Sequence, residues 1–68
     1  MVKQRKQVEI YYESAGEGLK DTYTIGIDTV EEIMIGNVVI WIEYREKGRE
    51  RFYPWSTITF IDKRLVKV

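Results

Sequence analysis

Sixty-eight residues hold one domain. The absence of Cys and His removes disulfides, thiol chemistry and the usual structural zinc, and no apolar run approaches the roughly 18 residues of a membrane span. Eleven basic and eleven acidic groups cancel overall, so a partner bound by net charge alone is not indicated. Ile and Val total sixteen against three Leu and Ala together, which with five Tyr, two Trp and a single Pro points to an all-β chain.

The first seven residues, MVKQRKQ, read as a basic arm carrying Lys3, Arg5 and Lys6, without the apolar segment of a signal peptide. A soluble cytoplasmic protein is the expectation. The β domain is then expected over residues 8–68. Val8 to Glu13 alternates cleanly: Val8, Ile10 and Tyr12 on one face, Glu9, Tyr11 and Glu13 on the other. Residues 14–21, with two glycines and no apolar period, read as a loop. Thr22 to Ile27 reads as a second strand with Tyr23, Ile25 and Ile27 inward, and with Gly26 marking a bend.

The central stretch, Glu32 to Tyr44, organises the rest. Ile33 and Ile35, then Val38, Val39, Ile40 and Ile42, flank Gly36-Asn37. β-branched residues suit a pleated surface, and Gly-Asn between two such runs predicts a two-residue type II′ hairpin. A helix capped by Asp28 with Glu31 at the capping-box position competes, but it would last barely two turns before Gly36. In the strand reading Val38, Ile40, Ile42 and Tyr44 face inward. Val39, Trp41 and Glu43 face away from them.

Arg45 to Glu50 reads as a charged turn around Gly48, and Arg51 to Tyr53 as a further strand. Pro54, lacking an N–H, ends its pairing, and Pro54 to Thr57 reads as one 3₁₀ turn. Ile58 to Asp62 is the last strand, with Ile58 and Phe60 on one face, and KRLVKV extends it as an edge.

The order strand, charged turn, strand, Pro-led 3₁₀ turn, strand in WIEYREKGRERFYPWSTITFID resembles the SH3-like small barrel. That resemblance implies a single barrel of about five antiparallel strands. Peptide-binding members open on an Ala-Leu-Tyr-Asp-Tyr-like segment, where this chain keeps only Ile10-Tyr11-Tyr12. Their Pro-Ser-Asn-Tyr turn is here Pro54-Trp55-Ser56-Thr57, so the binding Tyr is missing. The layout is also similar to the DNA-binding small barrels of archaeal chromatin, which are strongly basic where this chain is neutral.

Charge is distributed unevenly. Between residues 8 and 43 eight acids face one base, whereas residues 44–68 carry seven bases and three acids. Catalysis has little material: Glu31 and Glu32 would point to opposite faces, Glu9 and Glu13 would stand roughly 13 Å apart along a strand, and no nucleophile–base set exists. No catalytic residue, cofactor or metal is expected. The surplus apolar groups Tyr11, Met34, Val39, Trp41 and Trp55 instead predict a protein-contact surface. The expected function is a non-catalytic binding module that self-associates or meets another protein, of the kind found among small prokaryotic or phage accessory and inhibitor proteins. The alternative is contact with nucleic acid or a small anion through Arg45, Lys47, Arg49, Arg51 and Tyr53, with rings under bases and cations on phosphates. Glu46 and Glu50 in the same turn oppose it.

Overall fold

The computed structural model describes residues 4–67. The chain runs β1 (Gln4–Ser14), β2 (Glu17–Thr24), β3 (Val30–Ile35), β4 (Val39–Tyr44), β5 (Glu50–Pro54), a 3₁₀ turn (Trp55–Thr57) and β6 (Ile58–Lys67). Two antiparallel sheets result: sheet A in the order β2-β1-β6, and sheet B in the order β3-β4-β5. Among the described residues the ladders form these two sheets and not one closed ring.

The core lies between the sheets. Val8 and Ile10 of β1 meet Ile40 and Ile42 of β4, all essentially inaccessible to solvent. Each such side chain contributes about 1.5–3 kcal/mol by leaving water. Tyr23, Val30, Tyr44 and Tyr53 complete the cluster. The alternation of β4 is therefore as its sequence implies from Ile40 onward. Val38 is the exception: it is exposed, because the β3–β4 connection is longer than two residues. Ile35 pairs with Ile40, the Gly36 N–H donates to the Val39 carbonyl at 3.0 Å, and Gly36 lacks the positive φ of a type II′ turn.

Four further expectations are corrected. Arg5 and Lys6 do not belong to a loose arm; they sit in β1 opposite Val66 and Leu65 of β6, while Lys3 lies outside the described residues. The stretch 14–21 is not a loop. Ala15 and Gly16, with φ of 53° and 79°, make a two-residue turn, and Glu17 onward pairs with Ser14 backward. This end of the hairpin overhangs the core with both faces wet, so it shows no apolar alternation. β2 stops at Thr24, leaving Ile27 exposed in a turn where Gly26, Asp28 and Thr29 all take positive φ. Gly26 provides the expected bend, and the Arg5 guanidinium packs where a β-carbon would stand. Lastly, Ile58 and Phe60 do not share a face. Tyr11 pairs with Phe60 but Tyr12 with Ile58, and the extra residue between them turns Ile58 inward and Phe60 outward.

β1 and β6 span eleven and ten residues, while the strands of sheet B have five or six. Sheet A accordingly overhangs sheet B, and the molecule measures 43 × 25 × 21 Å.

Candidate contact surface

Because Ile40, Ile42 and Tyr44 point into the core, their neighbours on β4 point out, and Trp41 and Glu43 are each matched on both flanking strands. Met34, Trp41 and Phe52 form one row across sheet B. Glu32, Glu43 and Glu50 form the next, and Val39 with Pro54 lies on the other side of the apolar row. The Trp41 and Phe52 rings stack with centroids 5.6 Å apart and planes 28° from parallel. Phe52 remains 53% exposed. The Trp41 indole N–H is buried and meets no acceptor among the described residues. The face thus combines an aromatic stripe with three carboxylates, none in an ion pair among the described residues. Like charges directly opposite one another in a sheet are destabilising, so this row costs the isolated fold stability.

Three of the five expected contact residues, Met34, Val39 and Trp41, share this face. Tyr11 stands on the outer face of sheet A, stacked on Phe60 at 4.1 Å with the Lys20 ammonium 5.9 Å from its ring centre. Trp55 is half-buried against the core; its indole N–H donates to the Gly36 carbonyl at 2.7 Å, and its backbone N–H to the Val38 carbonyl at 3.0 Å. It fastens the β3–β4 connection. Phe52 and the glutamate row were not singled out from sequence. The parity of Phe52 follows from that of Tyr53, but the glutamates meet only through cross-strand register.

The basic-aromatic segment does not assemble as a stacking platform. Tyr53 is 5% exposed, and its ring belongs to the core. The Arg49 guanidinium pairs with Glu46 at 3.1 Å and lies over the Tyr44 ring at 4.2 Å. Arg45 lies 3.9 Å from Glu31, Arg51 sits over the Tyr53 ring at 5.7 Å, and Lys47 is exposed at the turn.

A polar network braces the inner edge. One oxygen of Asp21 on β2 accepts the Tyr12 hydroxyl at 2.9 Å and the Tyr53 hydroxyl at 2.6 Å, and Tyr23 hydrogen-bonds Tyr53 in turn. Burial, reinforced by the Asp21 hydrogen bond, pushes the Tyr53 phenol far above the ordinary tyrosine range. Burial raises Tyr23 as well, and the Asp21 hydrogen bond raises Tyr12. These phenols are held protonated with their donors already engaged, which suits bracing and not nucleophilic attack. Among the described residues no three His, Cys, Asp or Glu side chains come together to hold a metal ion, and no helix is long and apolar enough to cross a membrane.

Comparison of the chain with protein families, with curated proteins and with solved structures found no match.

Proposed function

We propose that this chain is a non-catalytic binding module that works through protein–protein contacts and self-associates, using the outer face of sheet B. The observation that carries the reading is the outward row Met34–Trp41–Phe52, with Phe52 half in solvent beside carboxylates that have no ion-pair partner among the described residues. Aromatic side chains bury large areas with few torsions to freeze, so a stripe of them is where binding energy concentrates. A domain of this size also buries only about 60% of its unfolded surface, and self-association supplies the missing burial. We further infer that the two sheets are the halves of an SH3-like small barrel. In support, β2 leads directly into β3 through Ile25–Thr29, which gives the strand succession β6-β1-β2/β3-β4-β5, and a 3₁₀ turn joins β5 to β6.

Light scattering over a concentration series tests the contact reading. The wild-type chain is expected above monomer mass, and Trp41→Glu at monomer mass with an unchanged far-ultraviolet circular dichroism spectrum. A wild-type chain that stays monomeric at millimolar concentration contradicts it.

A further inference from the structure

The overhang of sheet A leaves a second unpartnered surface. Where β1 and β6 run past sheet B, their inner face and the edge of β3 enclose a groove of about 400 Å³. Val8 and Ile33 lie at its base, Ile35 and Leu65 are largely exposed along it, and Lys6 and Lys63 border it. The register fixes this arrangement: Val8 opposes Lys63 and Lys6 opposes Leu65, so all four side chains share the inner face.

This end of the molecule is strongly cationic. Residues 4–8 and 63–67 carry Arg5, Lys6, Lys63, Arg64 and Lys67 and no acid. Arg64 is neutralised by Glu9 and Asp62 on the outer face. Lys6 and Lys63 have no ion-pair partner among the described residues. The outer face of sheet B is its complement: apolar, with Phe52 half exposed, and bordered by Glu32, Glu43 and Glu50. One surface is concave, apolar and positive at its border; the other presents a half-exposed aromatic ring beside three negative charges.

We propose that the two surfaces bind each other between copies, head to tail, with Phe52 of one molecule seated in the groove of the next and Glu43 and its neighbours facing Lys6 and Lys63. The inference rests on the contact-face reading above and adds the identity of the occupant. Electrostatic complementarity of this kind sets register and excludes wrong pairings, and the like-charge cost within the glutamate row is relieved only when cations meet it. Because the two surfaces differ, the interface is heterologous, and repetition generates a ring or a filament and not a two-fold dimer.

Charge reversal separates the possibilities. Glu43→Lys puts a cation at the centre of the sheet face, opposite the lysines of the groove, and Lys63→Glu puts an anion at the border of the groove, opposite the glutamate row. Neither side chain is in the core, so circular dichroism is expected to stay as in wild type, with thermal melting of Lys63→Glu near wild type and that of Glu43→Lys at or above it, because the new cation stands between Glu32 and Glu50. In sedimentation velocity each variant alone is expected at monomer mass, while their equimolar mixture reassembles, because each variant's reversed surface now matches the other's. A Lys63→Glu chain that assembles like wild type while Glu43→Lys does not would overturn the groove as occupant and keep the face. If Trp41→Glu and Glu43→Lys both assemble like wild type, the contact-face reading fails as well. A wild-type chain that stays monomeric yet binds a 20-nucleotide single strand, with at least tenfold loss on Lys63→Glu, would overturn self-association and assign the basic end to nucleic acid.

Discussion

The Tyr53 hydroxyl of β5 donates to Asp21 of β2 at 2.6 Å and also hydrogen-bonds the Tyr23 hydroxyl of the same strand, so this one phenol ties sheet B to sheet A. Tyr12 donates to the same carboxylate oxygen, so Asp21 serves three strands. Removing the Tyr53 hydroxyl with Tyr53→Phe keeps the ring in the core; it deletes the hydrogen bond to Tyr23 and, above all, a hydrogen bond to a charged acceptor. Such bonds contribute about 1.5–3 kcal/mol. The variant should lose stability of that order in urea denaturation with an unchanged slope. A loss under about 0.5 kcal/mol would show that the bond does not brace the sheets.

The same phenol gives a pH signature. Tyr53 has a raised pKa in the fold, while an unfolded tyrosine titrates near 10. Below about pH 10 both states keep the proton, and the contribution to stability is fully present. As pH rises further the unfolded chain releases the proton and the fold retains it, so stability falls by up to about 1.4 kcal/mol per pH unit for this group. Burial moves Tyr23 in the same direction. Urea midpoints measured between pH 9 and 11.5 should decline for wild type, and less steeply for Tyr53→Phe. Parallel declines would assign the alkaline loss to other groups.

Glu43 stands between Glu32 and Glu50. Glu43→Gln removes the central charge of the row, and the isolated fold should gain about 0.2–1 kcal/mol. The same change weakens the charged edge of the contact face. Unfolding at low concentration and sedimentation at high concentration should therefore move in opposite senses, toward greater stability and lower mass. A stability loss would mean that the row is supported by contacts within the fold.

Thr29 has a φ of 63°, a left-handed conformation that a β-branched residue adopts only under strain. Its hydroxyl reaches Glu46 only at 3.5 Å, which compensates little. Thr29→Gly or Thr29→Asn should stabilise the fold by about 1 kcal/mol in a denaturation series. Gly26→Ala should do the reverse by about 1 kcal/mol, since φ is 88°, which a residue with a β-carbon adopts only under strain, and the Arg5 guanidinium must also move aside. Equal stabilities for the two classes of variant would contradict this reading of the β2–β3 turn.

How much of this was legible in the letters depends on the period of each stretch. β4 alternates around Ile40, Trp41 and Ile42, and a strict period of two assigns both faces without coordinates. The 3₁₀ turn was legible from Pro54 and the short stretch after it, but one residue early: Pro54 still pairs with Val39 as the last residue of β5, and the turn spans Trp55–Thr57. The β1–β2 hairpin was not, because Glu17 to Lys20 lie beyond the core and carry no burial pattern. The outward turn of Phe60 was hidden by a one-residue irregularity opposite Tyr11 and Tyr12, which reverses parity without marking the sequence. The glutamate row and the basic groove are products of register. Glu32 and Glu50 are eighteen residues apart, and Lys6 and Leu65 fifty-nine, so only the paired strands bring them together.

The two indoles permit one direct comparison. Trp41 faces out from sheet B, whereas the Trp55 N–H is already bonded to the Gly36 carbonyl. In ¹H–¹⁵N correlation spectra over a dilution series, a contact face on sheet B requires the Trp41 indole signal to move with concentration, together with the Met34 and Phe52 amides, while the Trp55 indole stays fixed. A Trp41 signal that does not move over that series, or movement confined to Tyr11 and Phe60, would contradict it.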